Sequence, residues 1–423
     1  MRNDIINIPL PEAIKGVSKV TADNKNLPFE INGGYLRILA ELPPMGRKDF
    51  TIEKGIVESR ERYEVQEATI ENEKILLEFN NKYGIKKLIW KDTKETLMKN
   101  SGDFLVVQQD NGNFQIEDPS SAEVAAEAGE IKVFILDPSE IGESVILSGE
   151  FPSLAWAEEN NKLTWEAEFT LLKGKGRVDL KLRIHWKGEA SRIRLKLSTE
   201  LDTSVGIYEI PFGTVYRKPY GITGTARGEW PAHRFVAIED KNHGLALINR
   251  GTVGVEVRGG TILNTLLRAP KAEYAGMVCD DTSSQHGDHE FDFAIVPYAG
   301  SWKAAPVVET AQEINNPVHA IMREGVTDAE GCEDSFLSLI PHNLVLSTVK
   351  ATDDNLDEIA IRIYETTGQA TRGELYAKGS KKAWNSNLRE EKFEELLCLD
   401  ENIEFSVKPY EIKTIRIKRS KCL

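Results

Sequence analysis

Along most of this chain, apolar residues recur at every second position, in short runs closed by Gly, Asn, Asp or Pro. That period is the mark of strands buried on one face and wet on the other, and it excludes a helical fold. The clearest runs are YLRILAEL at 35–42, LTWEAEFTLL at 163–172, RVDLKLRIHW at 177–186, RIRLKLSTEL at 192–201 and EIAIRIYET at 358–366. In the third run, Val178, Leu180, Leu182, Ile184 and Trp186 fall on one side, and Asp179, Lys181, Arg183 and His185 on the other. Such strands belong to antiparallel sheets, because parallel strands are buried on both faces and read as continuous apolar runs. Helical pattern is scarce. Residues 120–128 (SSAEVAAEA) read as a short helix or a loop, and 388–397 (LREEKFEELL) as a short helix. Strand–helix alternation is missing, so a doubly wound or barrel architecture is disfavoured.

The punctuation divides the 423 residues into three blocks. Residues 1–56 form a small β element that must pack on another block, since so short a piece is marginal alone. Residues 57–320 form a long central β block. Residues 316–335, poor in periodicity, read as a linker to a C-terminal β-sandwich at 336–423.

Charge and cysteines narrow the function classes. With 53 Lys+Arg against 67 Asp+Glu the net charge is −14. That balance disfavours nucleic acid and anionic membrane surfaces as partners. No apolar stretch is long enough to span a membrane, and the opening MRNDIINIPLPEAI has no signal-peptide core. Cys279, Cys332, Cys398 and Cys422 are too dispersed for a zinc ribbon or a dense disulfide framework. The expected location is the cytoplasm.

No strong catalytic motif occurs: there is no G-x-S-x-G, Walker loop, H-E-x-x-H or C-x-x-C. Three polar regions carry the candidate chemistry. In DDTSSQHGDHEF (280–291), Asp281, His286 and His289 could approach a metal only if the chain bends at Gly287, because strand positions three apart face opposite ways. A turn that hydrogen-bonds locally or meets a sugar fits better. In QQDNGNFQIED (108–118), Asp110 and Asn113 can bond sugar hydroxyls and Phe114 can stack on a ring, on a loop that also reads as hairpin chemistry. In 207–221 and 228–238, Arg217 and Arg234 can fork onto hydroxyls or a carboxylate, with Trp230 as a stacking platform. The competing reading pairs these arginines with the chain's many acids.

These same segments carry a resemblance. YEIPFGTVYR, PAHRFVAIED, GLALINRGT, TLLRAP, HGDHEFDFAI with PYAGSW, and IRIYETTGQ with KPYEIKTIRI resemble, in order and spacing, the C-terminal β region of glycoside hydrolase family 38 α-mannosidases. RNDIINI and ELPPMGRKDFTI are similar to that region's opening strands. The resemblance implies an all-β fold, with a large antiparallel β-supersandwich (galactose mutarotase-like) flanked by small β-sandwich elements. It also implies a share in hydrolysing terminal α-mannosides, with an α-mannoside or other carbohydrate as partner. In that family the zinc ion and the aspartate nucleophile lie in an N-terminal barrel, which with its helical bundle is expected outside this chain, joined in cis or acting in trans. No catalytic residue, metal ligand or cofactor is therefore assigned here, and the isolated chain is expected to be inactive. By motif position Asp110, Asn113, Asp281, His286 and His289 would face the barrel, although Ser283 and Ser284 stand where the family has an arginine-containing stretch. The rival readings are a freestanding carbohydrate-binding or assembly module acting in trans, and a mutarotase-like enzyme using His185, His233 or His289.

Overall fold

A computed structural model describes residues 2–11, 14, 16–56, 60–101, 104–113, 117–156, 162–218, 229–270, 273–274, 277–278, 284–323 and 333–419. The chain forms two compact units, one from residues 60–209 and 215–316, the other from 1–59, 210–214 and 317–423. Both are built of antiparallel sheets, as the period-two pattern predicts.

In the first unit a long sheet runs, in spatial order, through Arg62–Val65, Ile131–Leu136, Gly142–Glu150, Lys162–Leu172, Val178–Lys187, Gly287–Ala299, His243–Asn249 and Phe235–Glu239. A six-stranded sheet runs through Pro119–Ala125, Leu105–Asp110, Ser191–Ser198, Thr261–Ala269, Gly254–Arg258 and Trp230–Pro231. The faces follow the alternation: Val178, Leu180, Leu182, Ile184 and Trp186 are all buried, while their odd neighbours are partly or fully exposed. The inner residues of both sheets join one core, in which Phe104 stands edge-on to Trp165 with centroids 5.1 Å apart and Phe79 packs on Phe169 at the same separation. Edge-to-face contact suits the aromatic quadrupole and adds roughly 0.5–1.5 kcal/mol per pair beyond area burial.

The second unit contains a sandwich of a four-stranded and a five-stranded sheet over Leu344, Ile361, Ile363, Leu375, Phe405 and Ile415. It also contains a smaller core in which Ile6, Ile8, Val20, Leu36 and Ile38 are covered by Val318, Ala320 and Met322. Part of the stretch read as a linker is therefore packing material, and Glu333–Ser335 pairs with Gly46–Lys48.

Local differences from the sequence reading have identifiable causes. The helix expected at 388–397 is instead the strand Lys392–Leu396, paired with Ser380–Ser386 and fixed by the Lys392 ammonium 3.8 Å over the Trp384 ring. Residues 120–128 are the strand Pro119–Ala125 closed by one 3-10 turn at Ala126–Ala128. A helix at Val307–Asn315 was not anticipated. It starts directly after Pro306, buries Val307, Val308 and Ala311, and is short enough that tertiary packing rather than propensity holds it. Among the described residues no helix is long and apolar enough to cross a membrane.

Candidate functional site

The strand Ser191–Ser198 sends Ile193, Leu195 and Leu197 into the core and Arg192 and Arg194 to the opposite face. Alternation alone reads that face as wet, yet both arginines are only 2% exposed. Pairing explains it: Gln108 lies across from Arg192 on one side and Arg268 on the other. The Gln108 side-chain oxygen accepts from Arg192 Nη2 at 2.7 Å and from Arg194 Nη1 at 3.4 Å. Glu256 accepts from Arg194 Nη2 at 2.8 Å and is also forked by Arg258. Glu229 closes the group, its Oε1 lying 3.1 Å from Arg192 Nη1 and 3.3 Å from Arg194 Nη2 and accepting from the Thr265 hydroxyl. Glu117, the most open member, lies 3.6 Å from Arg192.

The electrostatics of this group are uneven. Burial works against the charge on Glu256, but Arg194 and Arg258 overcome it and hold the carboxyl below the usual range. Burial, reinforced by Glu229, pushes Glu117 the other way, above the usual range, despite Arg192. Burial and the adjacent Arg194 lower the Arg192 guanidinium. Two guanidinium groups side by side are thus balanced by carboxylates of unlike strength.

Two of the loops marked by sequence meet at the turn before this strand. The Asp110 amide donates to the Ala190 carbonyl at 2.9 Å, and His286 Nε2 lies 2.8 Å from the Gly188 carbonyl, which can only accept. Trp186 donates its indole N–H to Ser284 at 3.2 Å, and Trp156 donates to the Ser191 hydroxyl at 3.1 Å. Asp110 is wholly buried. Its Oδ1 accepts from the Gly112 and Asp118 amides at 2.9 and 2.8 Å, and its Oδ2 from Arg268 Nε at 2.5 Å. Burial opposes its ionisation, but Arg268 and the two amides outweigh it and hold the carboxyl low. Asn113 is buried in the same loop, while Phe114 and Asp281 lie outside the described residues.

At the other flank, the Arg217 guanidinium sits 4.7 Å from the Trp230 ring and 5.1 Å from the Tyr208 ring, and donates to the Pro231 carbonyl at 3.0 Å. Trp230 directly follows Glu229, so Arg217 belongs to the same polar surface. Arg234 does not join it. Its guanidinium forks onto Glu209, with Nε 2.9 Å from Oε2. His289 Nε2 lies 2.7 Å from the Gln285 carbonyl and its ring stacks on Phe291, whereas His185 pairs with Asp288 at 2.7 Å. His286 and His289 each engage a backbone carbonyl, and among the described residues no three His, Cys, Asp or Glu side chains converge on a metal position. These residues do not compose a zinc site, and no chemistry is routed through a metal here.

The sequence reading found the two ends of this surface, Asp110 and Arg217, and missed its centre: Arg192, Arg194, Glu229, Glu256 and Arg268. The available signal was the Arg-Ile-Arg spacing, which puts two cations on one face of a strand. Chemically the surface offers guanidinium donors, carboxylate acceptors and an indole, a set that suits hydroxylated ligands.

Residues 70–282, which include this surface, match the glycosyl hydrolases family 38 C-terminal domain, and residues 343–415 match the glycosyl hydrolases family 38 C-terminal beta sandwich domain. Human alpha-mannosidase 2C1 is 31% identical over 189 residues, covering 44% of this chain and 17% of that protein. Alpha-mannosidase G of Dictyostelium discoideum is 26% identical over 247 residues, covering 57% of this chain and 22% of that protein. The match therefore spans about a fifth of the length of these relatives. A crystal structure of a glycosyl hydrolase family 38 protein from Enterococcus faecalis superposes with a TM-score of 0.75 at 17% identity, covering 99% of this chain and 56% of that one. An α-mannosidase structure from the same organism superposes equally well, at 16% identity over 99% of this chain and 55% of that one. With half its length matched by one family model and its last sandwich by the companion model, the chain belongs to glycosyl hydrolase family 38, as the family's C-terminal domains.

Proposed function

We propose that this chain is the β portion of an α-mannosidase, which supports hydrolysis of terminal α-mannosides when a catalytic region is supplied in cis or in trans. The observation that carries this reading is the ordered pair of family matches over 70–282 and 343–415. Retaining glycoside hydrolysis needs two carboxyl groups placed about 5–5.5 Å apart across the scissile bond. On this reading both come from the catalytic region, and this chain's part is binding and orientation. Arg217 with Trp230 presents a flat cationic and aromatic wall, Asp110 and Arg268 fix the loop to Asn113, and the Arg192–Arg194 face holds hydroxyls. Holding a sugar in register lowers the entropic part of the barrier without any bond being made by the holder. The dispersed cysteines and the charge of −14 support a cytoplasmic setting and argue against a nucleic-acid partner.

The test is hydrolysis of 4-nitrophenyl α-mannoside, with zinc or cobalt supplied, by a family 38 catalytic region made without its own β region. Adding this chain is expected to raise the rate, while the chain alone gives no turnover. Turnover by the highly purified chain alone, or no gain and no co-elution on mixing, refutes the reading. A second reading, a freestanding carbohydrate-binding or assembly module, is favoured by the donor groups on the arginine face. Calorimetry with mannobiose in the absence of any catalytic region separates the two.

A further inference from the structure

Within the arginine face, the hydrogen-bonding ledger does not close. Arg192 Nε and Nη1 and Arg194 Nε are buried with no hydrogen-bond acceptor. Arg192 Nη1 stands at ion-pair distance from Glu229, but off the line a hydrogen bond needs. Buried N–H donors are nearly always satisfied, and each one left open costs roughly 1–3 kcal/mol. The open donors lie on two neighbouring side chains, both 2% exposed, under two carboxylates of which Glu117 reaches solvent with 37% of its side chain.

The charges decide what can fill such a site. An anion would satisfy the guanidinium groups but would meet Glu229, Glu256 and Glu117, all within ion-pair range of the same arginines. A cation would satisfy the carboxylates but would meet Arg192 and Arg194. A hydroxyl does neither harm: its oxygen accepts from a guanidinium N–H while its proton goes to a carboxylate oxygen. Two hydroxyls on adjacent carbons would use the paired donors and the paired carboxylates together.

We infer that the Arg192–Arg194 pair, with Glu117 and Glu229, is a binding site for a vicinal diol of a single sugar residue. The choice of sugar rests on the α-mannosidase reading above; the diol chemistry rests on the donors and acceptors alone. Arg192 and Arg194 donate to the two hydroxyl oxygens, and Glu229 and Glu117 accept their protons. Arg217 and Trp230, on the flank, cover the rest of the ring.

The test is a titration of the whole chain with methyl α-D-mannopyranoside, followed by calorimetry and by protein-observed NMR. Binding is expected in the millimolar range, as for a single sugar held by a few bonds. Removing one hydroxyl, with the 2-deoxy and 3-deoxy analogues in turn, is expected to weaken binding by about tenfold or more, because a charged partner is left unfilled. Arg192→Gln is the direct variant but empties a buried position and can unfold the chain. Glu117→Ala, at the open rim, is the second variant: it should leave the fold intact and weaken the parent sugar about tenfold. No binding at about 100 mM sugar, beyond the weakest affinity such a site would have, overturns the inference. So does binding that ignores Glu117→Ala and both deoxy analogues. Failure here leaves the mixing assay of the α-mannosidase reading unaffected, so the two can fail separately.

Discussion

Asp110→Asn replaces one atom and tests the account of the loop that links the two flanks of the surface. In the native arrangement Oδ1 takes the Gly112 and Asp118 amides and Oδ2 takes Arg268 Nε. An asparagine can keep its oxygen toward the two amides, but its NH2 then faces the Arg268 N–H, donor against donor. Flipping the amide restores Arg268 and breaks both turn bonds instead. Breaking a buried ion pair from one side costs about 3–5 kcal/mol. The Arg268 side chain keeps 16% exposure, so water recovers some of this and the lower end, about 3 kcal/mol, is expected. Urea unfolding followed by tryptophan fluorescence measures it, and a double-mutant cycle with Arg268→Gln should show coupling of about 2 kcal/mol. The pH dependence gives a second signature. Because the folded carboxyl is held below its unfolded value of about 3.9, the unfolded chain binds more protons over that window and stability rises with pH through it. The contribution is complete above pH of about 4 and is lost as pH falls through the folded value. Asp110→Asn should lack that rise. A loss below about 0.5 kcal/mol, or no coupling to Arg268, would refute the reasoning.

Glu117→Gln has the opposite sign: a carboxyl raised in the fold destabilises progressively as pH climbs from its unfolded value to its folded one, so removing the charge should raise stability at neutral pH and flatten that decline, as read by melting temperature across a pH series. Gly244→Ala would place a methyl 2.2 Å from Cζ of the Tyr298 ring, whose hydroxyl is tied to Ile238 and Glu239 at 3.3 and 3.2 Å. With so little room to move, overpacking of about 1–3 kcal/mol or more is expected in thermal melts, and an unchanged melting temperature would contradict it. Arg234→Lys keeps the charge but loses the fork onto the buried Glu209, and should lower stability by about 1–2 kcal/mol; a loss of sugar affinity with stability intact would instead assign Arg234 to the ligand.

Much of the scaffold was legible in the residues because strand alternation is local information. The run at 177–186 declares its inner face through Val178, Leu180, Leu182, Ile184 and Trp186, and the structure buries all five. Local signals failed where a partner outvoted them. Residues 392–396 carry charges spaced as on a helix, but pairing with Ser380–Ser386 makes them an edge strand. At Val307–Asn315 a short amphipathic segment too weak to stand alone folds as a helix by burying Val307, Val308 and Ala311.

The candidate site divides in the same way. Asp110, Asn113, His286 and Arg217 stood out because turn residues, prolines and aromatics around them are unusual in sequence. Arg192 and Arg194 did not, since a cation at every second position is what any wet strand face shows. Their partners are far along the chain, Glu256 being 62 residues from Arg194 and Gln108 being 84 from Arg192. The sequence by itself determined an all-β chain, the inner face of its strands and its membership of an α-mannosidase family, because periodicity and ordered motifs survive without coordinates. Only the tertiary structure decided that the outer face of one strand is buried, charged and short of acceptors, because what covers a face is set by strands brought together from across the chain.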